Sequence, residues 1–226
     1  MGLVGPSGDI SELVDETSGK EIVIAPVVVD QFQDLRKKYE QFLILTGTEW
    51  KEWLRNNVKE VVLPCDINLF LKSTSEFENH ASYGSDTGHF ISQLIQNSYK
   101  AGNNEFELDV NSLKTMDSLA SNISGTEERM VRVVVTGETG TFCGWKATYS
   151  TFTVEKAGNC YGYGSKHSTF TIEKAGKVCG FGAYYSTFKT HNPNQYERFK
   201  EYTSQNSGNK LYLLSPDGSI LKGGPW

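Results

Sequence analysis

The chain has 226 residues, of which 38% are hydrophobic and 22% charged, and its formal net charge is −5 at pH 7. This composition is typical of a folded globular protein and excludes a disordered or collagen-like chain. No apolar run approaches the roughly eighteen residues of a transmembrane helix, so no membrane association is predicted. The first twenty residues lack the features of a secretory signal, and we therefore expect a cytoplasmic protein.

The charges are unevenly divided along the chain. Residues 1–130 carry 11 basic and 21 acidic side chains, whereas residues 131–226 carry 11 and 6. A basic half raises the question of an anionic partner such as a nucleic acid. The excess is modest, however, and attraction between the two halves is the simpler interpretation.

The first part of the chain predicts a flexible leader over residues 1–20 and an α/β region over residues 21–129. Residues 22–29 indicate a buried strand interrupted by Pro26. Apolar spacing predicts a helix capped by Asp30, and a capping-box pattern predicts a second short helix at Trp50. Residues 60–63 are expected to form a strand that ends at Pro64.

Further along, residues 72–88 are polar and predict a loop. A helix is expected from Asp86 or Thr87 to about Lys100. Residues 105–110 alternate as a strand. Residues 111–125 predict another helix, capped by Asn111 and closed by Gly125. Alternation of strands and helices places the fold in the α/β or α+β class.

The strongest signal in the sequence is an internal repeat of eighteen residues. Residues 150–158 and 168–176 are identical at eight of nine positions, and a third Ser-Thr-Phe begins at Ser186. Such a period predicts a short parallel β-solenoid over residues 130–190, here called the repeat region, with residue i about 4.8 Å from residue i+18. An antiparallel meander is the competing fold. Residues 191–226 predict a helix, capped by Asn192 and begun by Pro193, and a hairpin that together cover the far end.

The repeat also predicts which side chains face inward, because side chains alternate along a strand. One inward column contains the three phenylalanines, with Val134 beneath them. A second contains Thr136, Val154, Ile172 and Thr190, and threonines alternate with these on the outside. The phenylalanine column is Phe152, Phe170 and Phe188.

Glycine-rich segments of the repeat region resemble a known architecture. The segments are Thr136-Gly-Glu-Thr-Gly140, Ala157-Gly158-x3-Gly162-Tyr-Gly164 and Ala175-Gly176-x3-Gly180-Phe-Gly182. Together with the preceding strand, residues 105–190 resemble the Gly-repeat β-helix found in the carboxy-terminal domain of glutamate synthase and in the formylmethanofuran dehydrogenase complex. The resemblance implies a right-handed, non-catalytic domain that holds other parts in place, although this chain has Ser-Thr-Phe-Thr strands where that family is richer in glycine and aliphatic residues.

Two groups of residues are candidate sites. Asp86, His89 and His80, near Glu76 and Glu78, are the one concentration of carboxylates and imidazoles, and they could form a metal site or an acid–base site. A polar loop before a capped helix explains the same residues. The second group is an aromatic and basic face on the repeat region that could hold a nucleic acid strand or a carbohydrate, unless its rings fill the core. Its residues are Trp145, Tyr163, Lys146, Lys166 and His167, with Tyr149, Tyr185 and Lys177 nearby.

The four cysteines predict neither a disulfide nor a metal site. Cys143 and Cys179 share a column two repeats apart, which is beyond disulfide reach, and Cys160 should face the opposite way. Cys65 has no second cysteine at metal-site spacing. We expect buried apolar thiols, and the sequence predicts no cofactor or metal.

The sequence therefore favours a non-catalytic structural or interaction module with a protein partner or a second copy of itself. The alternatives are a small enzyme with its site near Asp86 and His89, and a binder of polyanions or carbohydrates on the basic aromatic face.

Overall fold

The computed structural model describes residues 32–45, 49–202 and 207–225. Its fold is α+β, as predicted, with seven strands in one open sheet whose order follows the chain. All neighbouring strands are parallel except the last pair. The helices are α1 (Gln33–Leu43), α2 (Trp50–Asn57), α3 (Pro64–Ser73), α4 (Tyr83–Lys100) and α5 (Pro193–Tyr202), and the strands are β1 (Glu105–Asp109), β2 (Val131–Thr139), β3 (Ser150–Ala157), β4 (Thr169–Ala175), β5 (Thr187–Thr190), β6 (Lys210–Leu214) and β7 (Ile220–Pro225).

The helical part forms its own aromatic core. The apolar stripe predicted for α1 is buried, and its Tyr39 contacts Phe70 of α3 and Phe90 of α4 edge-on, with ring centroids 5.8 and 5.2 Å apart. Burial raises the pKa of the Tyr39 phenol above its ordinary value. The predicted leader, the strand at residues 22–29 and the cap at Asp30 lie outside the described residues.

Several predicted boundaries were wrong. Residues 60–63 form no strand; Pro64 begins α3, because proline at the first helical position has no N–H to lose and a fixed φ. Residues 72–88 are largely helical: α3 continues to Ser73, a 3-10 helix spans Thr74–Phe77, and α4 begins at Tyr83. Polar residues there fill exposed and half-buried positions of short helices, which composition alone does not distinguish from a loop.

The repeat pairs as predicted from β3 to β5. Phe152 lies opposite Phe170, and Phe170 opposite Phe188, each eighteen residues further along. The three rings are fully buried and stack at 5.0 and 5.2 Å with interplanar angles of 8° and 11°. Val154 and Ile172 form the second buried column beside them.

The pairing between β2 and β3 does not follow the eighteen-residue interval, because paired residues near the start of these strands are nineteen apart. Val133, not Val134, lies opposite Phe152, and Val135, not Thr136, lies opposite Val154. Val134 and Thr136 therefore face outward, contrary to the prediction. A bulge at Gly137, where φ is +104°, takes up the extra residue. The Glu155 carboxylate accepts the Gly137 N–H at 3.1 Å.

Residues 111–125 form no helix, contrary to the prediction. Residues 117–125, here called the turn segment, run alongside residues 141–149. Ser118 N–H donates to Thr141 O and Asn122 N–H to Trp145 O, both at 2.7 Å. Met116, Leu119 and Ile123 are buried as their helical spacing suggested, but a non-helical backbone buries them.

The predicted carboxy-terminal helix and hairpin are both present. The Asn192 side-chain oxygen accepts the backbone N–H of Asn194 at 3.0 Å and caps α5, as expected. Phe199 of α5 contacts Phe188 at 5.3 Å. Strand β6 adds to β5 in parallel, and β7 pairs with β6 as a hairpin. Within the described residues, no helix has the length and apolar character needed to cross a membrane.

Candidate ligand-binding cleft

A cleft of about 620 Å³ lies between α2, α4 and the turn segment. The two helices supply its walls, and the turn segment supplies a third wall that continues into the repeat region. Its lining residues are Trp50, Lys51, Leu54, Arg55, His89, Ser92, Gln93, Gln96, Tyr99, Lys100, Ser121, Asn122, Ser124, Gly125 and Thr126.

The cleft carries uncompensated positive charge. Lys51, Arg55 and Lys100 line it, and none of its described lining residues is Asp or Glu. Within residues 32–45, 49–202 and 207–225, none of these three cations forms an ion pair. Because the whole chain is net negative, this local positive potential is a property of the cleft that favours an anionic ligand.

His89 lines the cleft as a neutral side chain. Its ring stacks on Trp50 with centroids 3.9 Å apart, and its Nδ1 lies 3.3 Å from the Ser121 hydroxyl. Burial, helped by the positive charge of Lys51, lowers the pKa of His89 to about 4. The imidazole therefore orients Trp50 and Ser121 without adding charge at neutral pH.

The predicted acid–base group is divided by the structure. Asp86 accepts a hydrogen bond from the Ser82 hydroxyl, and the same Ser82 Oγ lies 3.1 Å from His80 Nδ1. Neither Asp86 nor His80 lines the cleft that contains His89. Burial raises the pKa of Asp86, against the opposing effect of the Ser82 and Ser85 hydroxyls.

The remaining acids of that group have other partners. Glu76 pairs with Arg36, and Glu78 accepts the Lys114 N–H at 2.8 Å. In the described part of the chain, no cluster of three His, Cys, Asp or Glu side chains could hold a metal ion. Ser121 lines the cleft but is only 3% exposed, and its hydroxyl lies 3.3 Å from His89 Nδ1.

The predicted aromatic face adjoins the cleft through Lys51. The Lys51 ammonium lies 5.1 Å from the Trp50 ring centre and 5.3 Å from that of Trp145, and Lys146 lies 4.8 Å from the Trp145 ring centre. These are cation–π contacts. Trp145 thus brings the predicted basic face and the cationic cleft together.

The other rings of the face form stacks along the repeat. Tyr149, His167 and Tyr185 lie one above the next at 4.8 and 5.2 Å, within 7° of parallel. They turn their faces to one another, so they offer a ligand mainly their polar edges. Tyr163 contacts Phe181 at 5.6 Å, tilted by 30°. Lys166 is exposed beside them.

Sequence reasoning missed the residues that define the cleft. Lys51 and Arg55 are four residues apart on the predicted helix at Trp50, and this spacing places them on one helix face. Lys100 ends α4, and nothing in the sequence brings it near them. The apolar spacing of the turn segment predicts a helix. A helix there does not indicate that Ser121 and Asn122 line a cleft.

The three cysteines of the repeat region follow their predicted orientations, but Cys65 is exposed near the start of α3, contrary to the prediction of buried thiols. Cys143 and Cys179 are buried, and burial raises the pKa of each thiol to about 12, whereas Cys160 is partly exposed. Tyr161 lies between the two buried thiols in the same column and is itself fully buried.

Comparison with known proteins gives this chain no relatives: no family model, no curated protein and no solved structure matches it. The resemblance to the Gly-repeat β-helix consequently stays a prediction, and functional inference rests on geometry.

Proposed function

We propose that this protein is a non-catalytic binding module that holds an anionic ligand in the cleft. The observation that carries the proposal is a set of three cations, Lys51, Arg55 and Lys100, that form no ion pair with any described residue, around a cavity whose described lining has no carboxylate. Cationic side chains that share no ion pair bind anions with charge-assisted hydrogen bonds.

We also propose that the repeat region winds as a short right-handed β-solenoid and acts as the scaffold of this module. Pairing at a step of eighteen supports it, as does a second line of parallel bridges that joins Ser124, Thr148, Lys166 and Tyr184. Right-handedness follows the general rule for parallel crossovers.

The scaffold would fix one wall of the cleft. Gly125 N–H donates to Thr148 O at 2.9 Å, and Thr148 N–H to Ile123 O at 3.0 Å. From the helical side, Gln96 Oε1 accepts the Ser124 N–H at 2.6 Å. A wall held from both sides limits the reorganisation that ligand binding requires, and this preorganisation favours affinity.

The test is calorimetric titration with inorganic pyrophosphate. We expect saturable binding that weakens about tenfold or more in Arg55→Ala and in Lys100→Ala, since each variant removes one charge-assisted hydrogen bond. Lys156→Ala is the matched control, because Lys156 is an exposed cation on β3, outside the cleft. Absence of binding at millimolar pyrophosphate, or equal weakening in the control, would contradict the proposal.

A protein partner or a second copy remains the other proposal. Strand β7 is an edge of the open sheet, and its Ile220 and Leu221 are 61% and 63% exposed. Exposed strand edges with apolar side chains are sites where chains associate. Sedimentation equilibrium tests it: a monomer at every concentration would exclude self-association, and Leu221→Lys should dissociate any dimer formed there.

A further inference from the structure

We infer that the cleft is one end of a longer site that runs along the aromatic face of the repeat region, and that its ligand is single-stranded nucleic acid. This inference rests on the proposed anion binding in the cleft. It adds the extent of the site and the chemical class of the ligand.

The cleft wall and the aromatic face belong to one surface. Ser124 lines the cleft, and parallel bridges join it to Thr148 and then to Lys166. Adjacent levels of a sheet are about 4.8 Å apart, so Lys166 stands roughly 10 Å above the cleft wall. The Asn122 N–H bond to Trp145 O connects a second cleft residue to the same face.

This surface is free of acidic residues over four levels. The stacked segments are Ser-Asn-Ile-Ser-Gly (121–125), Trp-Lys-Ala-Thr-Tyr (145–149), Tyr-Gly-Ser-Lys-His (163–167) and Phe-Gly-Ala-Tyr-Tyr (181–185). They contain two lysines and no Asp or Glu. Lys146 and Lys166 are both exposed, so the positive charge of the cleft continues along the face.

The aromatic rings decide between classes of polyanion. Phe181 and Tyr184 are 47% and 50% exposed. Tyr163 is half-buried beside them, and its ring contacts Phe181 at 5.6 Å, tilted by 30°. Unpaired bases stack on such rings between backbone-binding cations.

Other polyanions can match the lysines of this surface but not its aromatic rings. A sulfated polysaccharide has charges that suit the lysines, but its puckered sugar rings present no flat π-face to the aromatic side chains, so they stack less closely than bases do. In a duplex, the bases already stack on each other and are not available to the rings. The combination of exposed rings and aligned cations therefore favours a single strand.

The experiment measures fluorescence anisotropy with fluorescein-labelled oligothymidylates of increasing length, with dTMP, a duplex and heparin as competitors. We expect affinity to rise with length beyond one nucleotide. With five cations engaged, the salt exponent for a single strand is about −3.5, which corresponds to an affinity loss of about 100-fold between 50 and 200 mM salt.

The decisive variant is Lys146→Ala with Lys166→Ala, which removes two exposed cations from the face. Affinity for a fifteen-residue oligothymidylate should fall about tenfold or more, the salt exponent should shrink by about 1.4, and the loss should exceed that for pyrophosphate. Lys156→Ala with Lys174→Ala is the matched control, because these exposed lysines lie opposite each other on β3 and β4. It should behave as the unmodified protein.

Each unfavourable outcome has a distinct meaning. If pyrophosphate binds but affinity does not grow with oligonucleotide length, the extended site is refuted and the cleft proposal stands. If heparin or the duplex binds as tightly as the single strand, the ligand class is wrong. If neither pyrophosphate nor any oligonucleotide binds, the proposed function fails together with this inference.

Discussion

The turn segment and residues 141–149 of the repeat region adopt the same backbone path with different sequences. Ser118 and Phe142 have φ values of +57° and +61°, and Asn122 and Lys146 have +55° and +53°. Gly144 N–H donates to Leu119 O as Gly162 N–H donates to Cys143 O one level above. Left-handed backbone is rare outside glycine. Because it recurs at matching positions with different side chains, we attribute this conformation to the hydrogen bonds that each level makes with the adjacent one.

The two regions differ in what holds them. The repeat region is held by its own copies, through stacked phenylalanines and through buried serines in which Ser168 Oγ accepts the Ser150 N–H at 3.1 Å. The turn segment has no copy below it, and α4 takes that role: Ser92 Oγ accepts the Ser121 N–H at 3.0 Å. A repeat can stabilise itself level by level, whereas its first level depends on a different partner.

The largest expected effect breaks the self-stacking directly. Phe170→Ala should lower the free energy of unfolding by about 3–5 kcal/mol, because it leaves a cavity among Phe152, Phe188 and Tyr161. Urea denaturation followed by circular dichroism measures it. Thr171→Ala on the outer side of β4 is the control and should change stability by less than about 0.5 kcal/mol. Similar losses in both variants would show that the phenylalanine column is not the core.

Glycine substitutions separate close packing from backbone conformation. A Cβ at position 158 would lie 2.7 Å from the carbonyl carbon of Gly140, so Gly158→Ala should cost about 1–3 kcal/mol. Gly182 has φ +67°, but a Cβ there would lie 4.0 Å from its nearest neighbours, the backbone atoms of Gly164, so Gly182→Ala should cost about 1 kcal/mol.

The turn segment sharpens this prediction, because Asn122 stands at the position of its own level that Gly182 holds in the third repeat. Gly182→Asn should therefore cost less than Gly182→Ala, since Asn tolerates left-handed backbone. Thermal unfolding of the three variants gives the order. A greater cost for Asn than for Ala would contradict the equivalence of the two regions.

The helix that supports the turn segment gives a pH-dependent effect. The pKa of His89 is about 4 in the folded protein and near 6.5 in the unfolded chain. The folded state binds fewer protons between these values, so the stability contributed by neutral His89 is present above pH 6.5 and lost as the pH falls toward 4. The slope is at most about 1.4 kcal/mol per pH unit. Urea denaturation of His89→Gln between pH 4 and 6.5 should show a free energy of unfolding that lacks this pH dependence. If the variant has the same slope as the unmodified protein, His89 is not the group responsible.

Local pattern predicted much of the fold and little of the cleft. The spacing of Leu35, Tyr39 and Phe42 identified α1, and the pair Asn192 and Pro193 identified the start of α5. His89 and Trp145 were singled out as site residues, and both lie at or beside the cleft. Lys100 could not be placed, because its neighbours come from an element far away in sequence.

The amino-acid sequence alone fixed the step of the repeat and the inward phenylalanines, because identical residues at a constant interval stack only in register. Tertiary structure decided the rest: the bulge at Gly137, the non-helical path of residues 117–125, and the meeting of α2 and α4 around three cations. These features depend on hydrogen bonds and burial between distant segments, and local spacing carries no record of them.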